Sequence, residues 1–157
     1  PLGAGLGGGS SNAATFLKMA NEELNLKLTR ENLMKIGANI GADVAFFASG
    51  FDAANVSGIG EIISDFDDEV PEIEILTPSV FCSTPAVYGE FRVNFMDSID
   101  VNLAAKMREM MTAQLLERYE NRKLNDLFAP CFKIYPQMNK FKDFFLSGSG
   151  ASVFFLK

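Results

Sequence analysis

The sequence predicts an α+β fold, with helices and strands segregated along the chain. Three observations carry that expectation. Helical periodicity follows the opening glycine run. Short apolar segments bounded by Gly and Pro punctuate the middle and the end. Residues 144–156 read as strand, tight glycine loop, strand. Such a pattern mixes helices with short strands in one chain.

The elements follow in order. Ala13, Phe16, Leu17, Ala20 and Leu24 recur at helical spacing, and Ser10, Ser11 or Asn12 are the expected caps. A second helix starts after Thr29 as N-cap, with Leu33, Met34, Ile36 and Gly37 facing inward and Gly41 near its end. Val44 to Ser49 is apolar and expected to be at least partly extended. Ala53–Val56 and Glu61–Ile63 are short strand candidates among glycines. The acidic run Asp65–Glu69 reads as a solvated loop and a domain boundary.

Beyond it, Ile73–Leu76 and Val80–Cys82 are strand segments split by Pro78, and Thr84-Pro85 opens a turn. Ser98 or Asp100 starts what should be the longest helix, carrying Leu103, Met107, Met110, Met111 and Leu115 toward the core. Leu124 to Ile134 continues helically, and Pro136 opens another short helix. Phe144–Leu146 and Val153–Leu156 are the closing strands.

Composition narrows the chemistry. The 157 residues are 48% hydrophobic and 22% charged, a globular balance. A net charge of -6 argues against a nucleic-acid binder, which would normally show a basic stripe. No apolar run has the length of a membrane span, so a soluble cytoplasmic protein is the expectation. Histidine is absent, which removes His-dependent triads and His-ligated zinc from this sequence. Cys82 and Cys131 lie among apolar neighbours and read as buried free thiols.

The opening run, Gly3 to Ser11, has the properties of a phosphate cradle. Glycines let successive amides point into one concavity, and a helix starting directly afterwards adds its positive end. Ser10 and Ser11 supply hydroxyls for phosphate or Mg²⁺. No Lys-Ser or Lys-Thr pair follows, so it is not a Walker A loop. On the glycines alone, a flexible linker fits equally well.

The order of residues is more specific. Pro1-Leu2-Gly3-Ala4-Gly5-Leu6-Gly7-Gly8-Gly9-Ser10-Ser11-Asn12-Ala13-Ala14 resembles the second signature motif of the galacto-, homoserine, mevalonate and phosphomevalonate (GHMP) kinase superfamily. The glycine-rich form is that of the branch acting on 4-diphosphocytidyl-2-C-methyl-D-erythritol. Gly41-Ala42-Asp43-Val44 resembles its catalytic segment, and Leu146 to Phe154 resembles the third superfamily motif. The resemblance spans nearly the whole chain, in the family order.

The resemblance implies a partial ribosomal-protein-S5-like, ATP-binding half over residues 1–67 and a ferredoxin-like half over 68–157. It implies transfer of phosphate from ATP, with Mg²⁺, to the 2-hydroxyl of the substrate, a step of non-mevalonate isoprenoid synthesis. Pro1, Gly3, Gly5, Leu6, Gly7, Gly8, Gly9, Ser10, Ser11 and Asn12 would hold the ATP phosphates. Gly148, Ser149 and Gly150 would lie near the phosphates between the domains and help close the site. Asp43 would be the base, against the simpler reading of an Asp that caps a turn after Gly41. Thr84 would contact the substrate, and Tyr88 would stack on cytosine, against the simpler reading of a core tyrosine.

The departure from the family is at the front. The chain opens on the second motif, and none of its lysines sits in a motif that identifies the partner of Asp43. The expectation is therefore a chain inactive alone, partnered by the missing N-terminal segment of the same enzyme, or self-associating as a homodimer. The alternatives are a non-catalytic nucleotide-binding module of the same fold and a kinase for another small alcohol.

Overall fold

The computed structural model describes residues 3–69 and 71–157. They form two compact units, one of Gly7–Asp68 and one of Glu69–Lys157 with the opening residues up to Leu6.

The first unit holds three helices and a hairpin. Helix α1 runs Gly8–Glu23, α2 Arg30–Ile40 and α3 Ala42–Ser49. Ala14, Leu33, Val44 and Ala48 form its buried cluster, with Leu17, Met34 and Phe47 packed around them. Asn21 closes the α1–α2 connection, its amide donating to the Leu28 carbonyl and accepting from the Leu28 N–H at 2.9 Å. Thr29 caps α2 as expected, accepting from the Asn32 N–H. Strands β1 (Ala54–Ser57) and β2 (Ile62–Asp65) pair antiparallel, with Ala54 opposite Asp65.

The second unit carries a three-stranded antiparallel sheet in the order β3-β5-β4, with β3 Ile73–Leu76, β4 Phe145–Leu146 and β5 Val153–Leu156. Helices α4 (Thr84–Asn94), α5 (Val101–Met107), α6 (Thr112–Arg118), α7 (Asn121–Leu124) and α8 (Phe128–Ile134) follow β3, and a 3₁₀ helix over Pro136–Phe141 precedes β4. Its core joins Cys82, Val87, Cys131, Phe132, Met138, Leu146, Ala151 and Val153. Both cysteines are free and buried, as the sequence indicates. Mixed helix and sheet is thus the class found.

Several local expectations are corrected. Ser10, Ser11 and Asn12 do not cap α1, because the helix starts at Gly8 behind a left-handed Gly7, with no side-chain cap. Ile36 is exposed, while its neighbours Leu33 and Gly37 are buried. Val44–Ser49 is helical rather than extended, because Val44, Ala45 and Ala48 bury together only at helical spacing. A short apolar run reads the same way for a buried strand or helix.

Val80–Cys82 is not a strand, and Thr84-Pro85 opens a helix, capped by the Ser83 side chain. Asp100 does start a helix, but the stretch behind it breaks into α5 and α6, so the longest helix is α1, with 16 residues. The break falls at Met111, which is extended and donates its N–H to the Gln114 side chain at 3.3 Å. Met107, Met110 and Met111 are half-buried rather than core. Leu124–Ile134 is likewise interrupted at Asn125, whose backbone is extended and whose side chain is taken up by a loop elsewhere in its unit.

Candidate active site

Two parts of the chain carry the candidate site, and each is built within its own unit. In the second unit the opening residues Gly3–Leu6 lie against the loop that joins β4 to β5, residues 147–152. The Ser147 hydroxyl donates to the Gly5 carbonyl at 2.8 Å, and the Ser152 N–H donates to the Ala4 carbonyl at 3.0 Å. Gly5 is left-handed at φ +70°, and a Cβ there would collide with the Ser147 carbonyl oxygen. Only glycine permits both that angle and that approach.

The second loop is closed on itself. Ser147 N–H donates to the Ser152 carbonyl, and Gly150 N–H to the Ser147 carbonyl, both at 3.0 Å. Ser149 is buried and shares a 2.8 Å hydrogen bond with the Thr84 hydroxyl at the start of α4. Tyr88 sits one turn further along α4 and is 42% exposed, so it is not the core tyrosine of the simpler reading. Thr84 and Tyr88 therefore share one helix face, four residues apart.

In the first unit the same glycine run becomes a helix start. Gly7 takes φ +63° at the N-cap, no side chain caps α1, and no acidic residue lies in its first turn. Gly8 and Gly9 are exposed, with nothing within 4 Å of where a Cβ would stand. The first N–H groups of a helix lack internal partners, and the macrodipole concentrates positive potential on them. A 16-residue helix opening bare onto glycines suits an anion such as a nucleotide phosphate. Ser10 and Ser11 are half-buried on its first turn, and Asn12 is exposed.

Asp43 is the acidic residue of the first turn of α3. Its side chain is exposed, and α3 has no side-chain cap bond, so Asp43 does not cap the turn after Gly41. Among the described residues, no group of three or more His, Cys, Asp or Glu is placed to hold a metal ion. The available donors, serine hydroxyls beside a phosphate cradle, fit an Mg²⁺ that arrives with the nucleotide and keeps several waters.

Pro1 lies outside the described residues. Ser147 was not singled out by the sequence. It lies inside the third motif, but nothing in the spelling distinguishes the serine that bonds Gly5 from the serine that bonds Thr84.

Comparison with known proteins follows the same motifs. The family "GHMP kinases N terminal domain" matches residues 1–56. A 4-diphosphocytidyl-2-C-methyl-D-erythritol kinase of Campylobacter jejuni subsp. doylei is 48% identical over 157 residues, covering 98% of this chain and 62% of that protein. Its opening third and, at lower cover of the relative, its whole length are thus similar to GHMP kinases.

Other relatives extend the likeness. The kinase of the same name from Sulfurimonas denitrificans is 45% identical, over 100% of this chain and 60% of that one. A solved structure described as 4-(cytidine 5'-diphospho)-2C-methyl-D-erythritol kinase superposes with a TM-score of 0.68 at 27% identity, covering 99% of this chain and 58% of that chain. The chain thus spans about three-fifths of the length of these GHMP relatives. Among the described residues no helix is long and apolar enough to cross a membrane.

Proposed function

We propose that this chain forms the ATP-binding and catalytic part of an enzyme that phosphorylates the 2-hydroxyl of 4-diphosphocytidyl-2-C-methyl-D-erythritol. The step would belong to non-mevalonate isoprenoid synthesis in the cytoplasm. The observation that carries the reading is the bare glycine start of α1, in a chain 48% identical to a kinase of that name.

In this reading the residues divide the work. The Gly5–Asn12 segment, with Gly3, binds the ATP phosphates through backbone amides and the α1 N-terminus. Gly148, Ser149 and Gly150 of the second loop support the nucleotide. Ser10 and Ser11 would meet the phosphates or hold an Mg²⁺ that comes with the nucleotide, which would supply charge neutralisation at the transferred group. Asp43 orients the attacking 2-hydroxyl and accepts its proton as the oxygen–phosphorus bond forms and ADP departs. Phosphoryl transfer needs mainly positioning and charge stabilisation, which suits a site rich in amides and poor in titratable groups. Tyr88 offers a ring face to cytosine, and Thr84 stands beside it.

Residues 1–67 would serve as the remainder of the ATP-binding half and 68–157 as the C-terminal half. Catalysis would require the segment that accounts for the greater length of the relatives. Large exposed apolar side chains such as Phe16, at 70%, and Ile59, at 87%, are consistent with surfaces that another segment or a second copy covers.

The test is ADP release by the full-length enzyme with ATP-Mg and the diphosphocytidyl alcohol, beside Asp43→Asn. Activity that the mutation removes supports the reading. ATP binding without turnover of this alcohol would sink the substrate assignment.

A further inference from the structure

The loop 147–152 has an anchoring problem. Leu146, Ala151 and Val153 are fixed in the apolar core. Between them, Ser147, Gly148, Ser149 and Gly150 have no apolar side chain to pack. The shape of this stretch therefore depends on hydrogen bonds. On one side they come from Gly5 and Thr84. Besides the loop's own Ser147–Ser152 and Gly150–Ser147 backbone bonds, on the other side they come from a single side chain, Asn125.

Asn125 stands in the gap between α7 and α8. Its Nδ2 donates to the Gly148 carbonyl at 2.8 Å and to the Leu146 carbonyl at 3.1 Å. Its Oδ1 accepts from the Leu127 N–H at 2.9 Å, which fixes the amide so that both donors point at the loop. An amide has two N–H donors, and both are used on carbonyls two residues apart. Gly148 is held between this clamp and Gly5, whose carbonyl oxygen would lie 3.2 Å from a Cβ at Gly148.

We propose that Asn125 is a positioning residue for the nucleotide, clamping the Leu146 and Gly148 carbonyls so that Ser149 and Gly150 are presented in one conformation. The proposal rests on the reading of loop 147–152 as part of the ATP site. Asn125 touches neither ATP nor substrate in this role. It lowers the cost of binding by ordering the loop beforehand.

A control lies one turn away. Asn121 makes the same kind of clamp, donating from Nδ2 to the Lys142 carbonyl at 2.8 Å and the Phe144 carbonyl at 2.7 Å. It holds the approach to β4 rather than the glycine loop. A merely structural role would make the two asparagines equivalent.

The experiment compares Asn125→Ala, Asn125→Asp and Asn121→Ala in the full-length enzyme. ATP-Mg affinity is read by calorimetry, and amide exchange of Ser149 and Gly150 is read without nucleotide. Asn125→Ala is expected to weaken ATP-Mg about tenfold and speed exchange at the loop. The isosteric Asn125→Asp keeps the shape, loses the donors and should do the same, which covers the case of a poorly folding alanine variant. Asn121→Ala should leave ATP affinity unchanged. Equal effects of the two asparagines on affinity, or an unchanged affinity and loop exchange in both Asn125 variants, would overturn the proposal. Wild-type enzyme that binds ATP but ignores the diphosphocytidyl alcohol refutes the substrate reading alone, because the Asn125 comparison is made on binding. Wild-type enzyme that binds no ATP refutes both.

Discussion

The hydroxyl of Ser147 donates to the carbonyl of Gly5 at 2.8 Å, joining two glycine loops 142 positions apart in the chain. Within the unit they share, neither loop is shaped alone. Gly5 lacks a side chain because the Ser147 carbonyl occupies the place where its Cβ would be.

Gly5→Ala should therefore be costly on two counts. The new methyl would meet the Ser147 and Gly150 carbonyl oxygens, and φ is +70°. A loss of about 2 kcal/mol or more in unfolding free energy is expected, with weaker ATP binding. Urea melts and ATP titration check it. Gly8→Ala, where nothing lies within 4 Å of the added methyl, should leave the melt nearly unchanged.

Asp43→Asn should separate chemistry from binding. The carboxylate is exposed and caps nothing, so its removal should not destabilise the first unit. Loss of a general base typically costs about 10²–10⁴-fold in rate. The expected result is that loss in kcat with an unchanged ATP affinity, measured by ADP release and calorimetry. A variant retaining wild-type kcat would remove Asp43 from the mechanism.

Tyr88→Ala should act on the substrate alone. If the exposed ring stacks on cytosine, its loss should raise KM for the diphosphocytidyl alcohol about 5- to 10-fold, while Tyr88→Phe stays near wild type. The ATP KM should not move. Steady-state kinetics with each substrate varied in turn decides it.

The two cysteines predict an alkaline limit to stability. Their sulfurs lie 3.8 Å apart, both fully buried. Burial, followed by the neighbouring Cys82, pushes the Cys131 thiol from its ordinary 9.0 up to about 12, and burial also raises Cys82. With the folded value above the unfolded one, the folded state holds its proton longer. The contribution is complete below pH 9.0 and is lost as pH rises through about 12. Chemical melts at stepped alkaline pH should show stability falling across that window, and Cys131→Ala should flatten the fall. In the native state both thiols should resist alkylation at neutral pH.

The sequence by itself determined the elements whose signals are local. Thr29 as a cap, the β1–β2 and β4–β5 pairs, the helix opened by Pro136 and the two buried thiols needed no distant partner to be read. Motif spelling carried the resemblance to GHMP kinases and named most of the residues proposed for the site, because glycine is demanded where backbone must approach backbone. Only the tertiary structure decided the rest. Val44–Ser49 is helical because Leu33 and Ala14 offer it a helix-shaped seat, and periodicity over six apolar residues cannot choose. The stretch expected as one methionine helix ends at Met107 and restarts at Thr112, where the Gln114 side chain takes the Met111 N–H. The stretch through Leu124 breaks at Asn125 because that side chain is used by a loop 23 residues away. Asn125 and Ser147 carry no local signature, since their roles are defined by carbonyls that the fold brings to them.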